Sequence, residues 1–84
     1  MNWQIYIIQC SDGSLYTGVS TDPQRRFREH RSGGPRAAKF FRGRRAERLA
    51  YVETGLTRSE ACRREWEIKQ LGRAGKLRLI AGQQ

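Results

Sequence analysis

The sequence predicts a small α+β domain, α/β in the broad sense, whose elements run β-β-α-β-α-α. Three observations carry that expectation. A length of 84 residues allows one domain, 1–84, with a small core. The first twenty residues set two β-rich runs on either side of a turn signal, Ser11-Asp12-Gly13-Ser14. Two later stretches open with helix-start chemistry, Asp22-Pro23 and Thr57 followed by Glu60.

Trp3 to Cys10 alternates between two apolar sets, Trp3, Ile5 and Ile7 against Tyr6, Ile8 and Cys10. A strand apolar on both faces belongs in the middle of a sheet. Leu15 to Val19 is the return strand of a hairpin over residues 3–19. Asp22 at the N-cap and Pro23 at N1 then open a helix to about Arg31, where Ser32-Gly33-Gly34-Pro35 stops it. Residues 36–45 are basic with Phe40-Phe41 embedded, and suit a short helix or an ordered loop equally. Arg48 to Thr54 reads as a third strand, Leu49 and Tyr51 against Ala50 and Val52, broken by Gly55. The Thr57/Glu60 capping box starts a long helix to about Leu71, Gly72 ends it, and Ala74 to Ala81 can form a last short helix.

Seventeen Lys and Arg against eight Asp and Glu give a net charge of +9, which disfavours cationic partners. The segment Arg25–Arg48 holds ten basic residues and two acids, so it carries most of that charge. Fourteen of the seventeen are Arg, whose planar fork suits phosphate. An Arg-rich solvated face would share this composition, but the clustering favours nucleic acid. Eight aromatic residues are too many for a disordered basic tail. No apolar run approaches the roughly 18 residues of a membrane span. The chain opens directly in a strand pattern without a charged leader region, so a cytoplasmic location with Cys10 and Cys62 as reduced thiols is expected.

Helix geometry singles out polar residues that face inward. At about 100° per residue with Ala61 at zero, Ile68 lies near −20°, Cys62 near 100°, Trp66 near 140° and Leu71 near −80°. Glu65, at about 40°, falls in the centre of that apolar stripe, whereas Glu60 and Glu67 point away. A carboxylate on a buried face needs a partner, which is either a structural Arg or a bound metal. In the 22–31 helix, Pro23, Arg26, Phe27 and His30 share one side, and Gln24, Arg25, Arg28 and Glu29 point outward.

Gln4-Ile5-Tyr6, followed ten residues on by Tyr16-Thr17-Gly18, resembles the paired motif of the GIY-YIG nuclease superfamily. Asp22 to His30, with Arg26 and His30 four apart, is similar to that family's arginine helix, and Glu65 to Leu71 to its glutamate helix. Gln4 stands where the first motif glycine would be, and Val19 where the related excinuclease has a lysine. The match runs in order along nearly the whole chain. It points to the small stand-alone bacterial branch, similar to the N-terminal endonuclease domain of the bacterial repair excinuclease. The resemblance implies a three-stranded antiparallel sheet flanked by helices. It also implies divalent-metal-dependent hydrolysis of DNA phosphodiester bonds, in a setting of DNA repair or recombination. Tyr6 and Tyr16 would be the motif tyrosines, Arg26 the catalytic arginine, His30 its nearby histidine, and Glu65 the ligand of Mg²⁺ or Mn²⁺.

The chemistry fits those residue types. One carboxylate suits Mg²⁺, which keeps several waters. Arg26 can fork onto phosphate oxygens. A nearby Arg and metal would favour the phenolate of Tyr6 or Tyr16, making either a base or a water-positioner; ordinary sheet aromatics are the alternative. Arg25, Arg36, Lys39, Arg42, Arg44, Arg45 and Lys69 are the candidate nucleic-acid contacts, expected to grip backbone rather than bases. DNA is the expected partner, RNA stays open as a second, and no segment marks a protein partner. The rival reading is a non-catalytic nucleic-acid-binding module on the same fold. If both tyrosines line one site they must share a face of the sheet. A two-residue turn would separate them, so an odd loop of three residues with a bulge is expected, pairing Cys10 with Tyr16.

Overall fold

The middle of the sheet is β1 (Trp3–Cys10), buried along almost its whole length. Strand β2 (Leu15–Ser20) pairs with it on one side and β3 (Ala46–Leu56) on the other, both antiparallel, in the order β2-β1-β3. Helix α1 (Pro23–Ser32) follows the hairpin, and a single 3₁₀ turn at Lys39–Phe41 leads into β3. Helices α2 (Arg58–Gln70) and α3 (Gly72–Gly82) close the chain. The computed structural model describes residues 1–82.

The alternation along β1 makes two cores. Ile5 and Ile7 pack with Leu15, Tyr51, Ala61, Ile68 and Ile80 beneath α2 and α3. Tyr6, Ile8 and Cys10 pack with Phe41 and Ala46, and with Phe27 of α1, on the opposite face. Caps act where expected. The Asp22 carboxylate accepts from Arg25 N at 3.1 Å, and Gly33 ends α1 in the left-handed conformation. Thr57 and Glu60 form the reciprocal capping box of α2.

The hairpin loop has three residues, Ser11 to Gly13. Cys10 N donates to Ser14 O and Gly13 N to Cys10 O, both at 2.9 Å. Gly13, at φ 85°, takes the bulge position that such loops require. The odd loop is as expected, but Cys10 faces Ser14 rather than Tyr16. Tyr16 instead pairs with Ile8. The shift is two residues, so the face is conserved and Tyr6 and Tyr16 lie on the same side.

Two other expectations are corrected. Strand β3 runs through Gly55 to Leu56, and its register shifts against β1 three times. The bulge between Ile7 and Ile8 sends Leu49 and Tyr51, expected on one side, into different cores. On α2, only Ala61 and Ile68 are buried, while Trp66 is 64% and Leu71 46% exposed. The buried arc instead takes in half-buried Arg64, whose guanidinium meets Glu53 of β3 at 2.9 Å. Its centre therefore lies roughly 50° from the expected one, and Glu65 occupies the margin of the packed face.

Candidate active site

The site forms over β2, the edge strand of the sheet, because Tyr6 reaches across it. Tyr6 of β1 is paired with Gly18 of β2. A Cβ at Gly18 would stand 2.5 Å from Tyr6 Oη and 2.6 Å from Cζ, so the phenol ring lies flat over the glycine. Gly18 has an ordinary negative φ, so it is the space and not the backbone angle that requires glycine. Tyr6 is 1% exposed and ends against α1, where its Oη lies 3.2 Å from His30 Nε2.

The direction of that hydrogen bond follows from the other side of the ring. Ala38 N donates to His30 Nδ1 at 3.1 Å, so Nδ1 is the bare nitrogen. The neutral imidazole then carries its proton on Nε2 and donates to Tyr6 Oη. Burial, helped by the Arg26 charge, pushes the His30 pKa down to about 4, so the ring is neutral at ordinary pH. His30 also stacks on Phe41, with centroids 4.4 Å apart, and meets Tyr16 edge-on at 5.3 Å. Phe40 and Phe41 lie 5.2 and 5.0 Å from the Tyr16 ring and complete an aromatic wall.

Burial likewise raises the Tyr6 pKa to about 12, with Tyr16 adding to the rise and Arg26 opposing it. With the protein's own groups alone, Tyr6 is therefore held as the neutral phenol. A side chain sealed from water keeps its proton, and one Arg does not offset that. Tyr16 is the half-exposed tyrosine of the pair.

Arg26 is held by Glu29. Its Nη1 donates to Glu29 Oε1 at 2.6 Å and to the Arg36 carbonyl at 3.0 Å. Arg25 and Arg36 flank the same carboxylate at 4.0 and 3.6 Å. The Arg26 hydrogen bond holds the Glu29 carboxyl below the usual range. Glu29, expected to point outward, is only 17% exposed, because Arg26 folds back on it one turn along α1. Glu65 approaches from α2, on the opposite face, near enough for its charge to act on Tyr6. Its Oε2 accepts from Lys69 Nζ at 3.1 Å, and its side chain is 25% exposed.

Tyr6, Tyr16, Arg26 and His30 thus gather at one edge with Glu65 at its rim. The basic candidates divide. Arg25 and Arg36 join the Glu29 cluster and Lys69 joins Glu65. Arg44 stacks over Phe40 at 4.5 Å and pairs with Asp12 at 3.2 Å. Lys39, Arg42 and Arg45 are exposed along the 3₁₀ segment. Four participants went unnoticed in the sequence: Glu29, the Ala38 amide, the Phe40-Phe41 wall and the space at Gly18. The aromatic doublet inside a basic run and the motif glycine at Gly18 were the local signals available.

The model of the GIY-YIG catalytic domain matches residues 2–78. The chain belongs to the GIY-YIG family. Its relatives there are small UPF0213 proteins. One from Desulfotalea psychrophila is 47% identical over 78 residues, covering 93% of this chain and 70% of the relative. One from Halobacterium salinarum is 51% identical over 72 residues, covering 86% and 91%. The solution NMR structure of a UPF0213 protein from Bacillus halodurans superposes with a TM-score of 0.58 at 42% identity, covering 94% of this chain and 82% of that one. In this GIY-YIG chain the first motif tyrosine is the buried one, the second the open one, and the motif glycine after it is the floor on which the first ring lies. No described helix is long and apolar enough to cross a membrane.

Proposed function

We propose that this chain is a divalent-metal-dependent endonuclease that hydrolyses DNA phosphodiester bonds. The observation that carries the reading is the convergence, at one sheet edge, of a clamped arginine, an open tyrosine backed by a histidine-bonded one, and a single carboxylate. Glu29 and the Arg36 carbonyl both take Nη1 of Arg26 and Tyr6 draws on the same guanidinium, so a phosphate oxygen would be met by its remaining N–H groups. Stabilising the negative charge that grows on the phosphorane is the step that such a fixed fork serves. Tyr16 holds the attacking water in line from the open side of the aromatic wall. Tyr6 and His30 form the rigid frame behind it, with the His30 proton fixed on Nε2 by the bonds described.

The donor set suits magnesium or manganese. Among the described residues no three His, Cys, Asp or Glu side chains gather, so the site is not a multi-ligand protein cage, and Glu65 would be the carboxylate that holds the ion. Mg²⁺ accepts that arrangement because it keeps most of its waters and shares the substrate's phosphate oxygens. When bound, the ion would act as a Lewis acid on the phosphate. Glu65 already draws a cation, Lys69, at the same rim.

Glu65→Gln tests this. The Glu65–Lys69 pair is an i,i+4 ion pair at the surface, worth roughly 0.3–0.5 kcal/mol, so the fold should survive its loss. Plasmid nicking titrated with Mg²⁺ and Mn²⁺ should fall by a factor of about a hundred or more, while binding of the uncut plasmid in EDTA persists. Full activity of Glu65→Gln would remove the carboxylate from the mechanism. A wild-type protein that binds DNA and never cuts it, in any divalent metal, would leave the binding-module reading instead.

A further inference from the structure

A second concave feature adjoins this site. A groove of about 600 Å³ lies between the β1–β2 turn and the junction of α2 with α3. Gly13 and Leu15 form one wall, Lys69, Arg73 and Lys76 the other, and Phe40 stands between them. Both ends of the connection to the site are short. Lys69 touches Glu65 at 3.1 Å, and the Phe40 ring lies 5.2 Å from that of Tyr16.

The three cations of the groove differ in what they hold. Lys69 has Glu65. Arg73 is spent on the fold, because its Nη1 donates to the Gly13 carbonyl and ties the hairpin turn to α3. Lys76 has no carboxylate partner among the described residues. It is half-buried, and its Nζ reaches only the Leu15 carbonyl, at 3.4 Å. The one acid at the rim, Asp12, is taken by Arg44 and Ser14. Burial, and then the repulsion of Lys69, pull the Lys76 pKa below its ordinary value. A half-buried ammonium with only a long carbonyl contact is poorly compensated unless an anion joins it in the groove.

We propose that the groove binds a phosphate of the nucleic-acid strand as it leaves the reaction site, with Lys76 and Lys69 on the phosphate oxygens. The inference rests on the nuclease reading for the identity of the strand, and the groove's basic wall carries the rest. Phe40 lines the groove and also packs against Tyr16, which puts a phosphate held there beside the tyrosine site.

The test uses a fluorescein-labelled oligonucleotide, single-stranded and as a duplex, titrated in EDTA by anisotropy over a series of KCl concentrations. Lys76→Gln should lower the slope of log K against log salt by about 0.7 for the single strand or 0.9 for the duplex, the loss of one phosphate contact. Lys76→Arg should restore it. Arg78→Gln removes an equal charge from the exposed side of α3 and should leave the slope alone. An unchanged slope in Lys76→Gln, or an equal drop in Arg78→Gln, overturns the proposal. Inorganic phosphate that shields Lys76 from acetylation as well as the oligonucleotide does would also overturn it, in favour of a free-phosphate site. Because no cleavage occurs in EDTA, the two readings fail separately. A protein that shows the Lys76-dependent slope but cuts nothing keeps the groove and loses the hydrolase. One that cuts with a slope independent of Lys76 does the reverse.

Discussion

Gly18→Ala places one methyl group under the Tyr6 ring, and the cost can be worked from the structure. The new Cβ would lie 2.5 Å from Oη and 2.6 Å from Cζ. Ordinary contact distances are about 3.5 Å, so the ring must retreat by roughly 1 Å. Tyr6 is 1% exposed and packed in the core with Ile8, Cys10 and Phe41. Overpacking of this kind costs about 1–3 kcal/mol. A retreat that breaks the 3.2 Å bond to His30 adds roughly 1 kcal/mol. Against this, alanine in an ordinary strand conformation recovers about 0.4–1 kcal/mol of backbone entropy. The net expectation is a loss of roughly 2–3 kcal/mol, which in a domain of this size lowers Tm by roughly 10–20 °C. Urea unfolding followed by tryptophan fluorescence, with m unchanged, is the assay. A Gly18→Ala protein with the wild-type midpoint would refute the account of the motif glycine as a floor for Tyr6.

Acid lability should depend on His30. Its pKa is about 4 folded and 6.5 unfolded, so the unfolded chain binds the proton first. Stability is then lost as pH falls from about 6.5 to 4, by roughly 3 kcal/mol in all. His30→Gln should flatten that part of the curve, and parallel curves for the two proteins would count against a buried neutral imidazole. Glu29→Gln releases Arg26 from its clamp while making the surface more positive. Nucleic-acid affinity should hold or rise while kcat falls, and an unchanged kcat would show that Arg26 needs no anchor.

Much of the fold was legible because local chemistry decides it. Asp22, Pro23 and Gly33 bound α1, Thr57 and Glu60 start α2, and the double apolar alternation of Trp3–Cys10 marks the central strand. What stayed hidden depends on pairing across the sheet. The bulge that divides Leu49 from Tyr51 has no marker in β3, where every neighbour is a plausible strand residue. The partner of Cys10 was missed for the same reason, and cost nothing, since only an odd shift would have moved a tyrosine to the other face. The helical period put Arg26 and His30 on one face of α1, whereas their meeting with Tyr6 and Tyr16 followed from the family resemblance and not from periodicity.

Glu65 shows where periodicity misleads. Counting Trp66 and Cys62 as core pulled the apparent centre of the α2 stripe onto Glu65, yet both are exposed and half-buried Arg64 takes the other flank. The burial argument for a metal at Glu65 therefore weakens: a carboxylate that is 25% exposed and bonded to Lys69 is stable without one. The case passes to position. Glu65 belongs to the helix on one face of the sheet, whereas Arg26 and His30 belong to the helix on the other, and Tyr6, which crosses Gly18 toward the edge, is the side chain on which the charges of Arg26 and Glu65 both act. A purely structural ion pair on α2 would need no such meeting. A site that must surround one phosphate with an arginine, an open hydroxyl and a carboxylate from different elements does need it, and in a three-stranded sheet an edge strand is where helices from both faces can reach the same point.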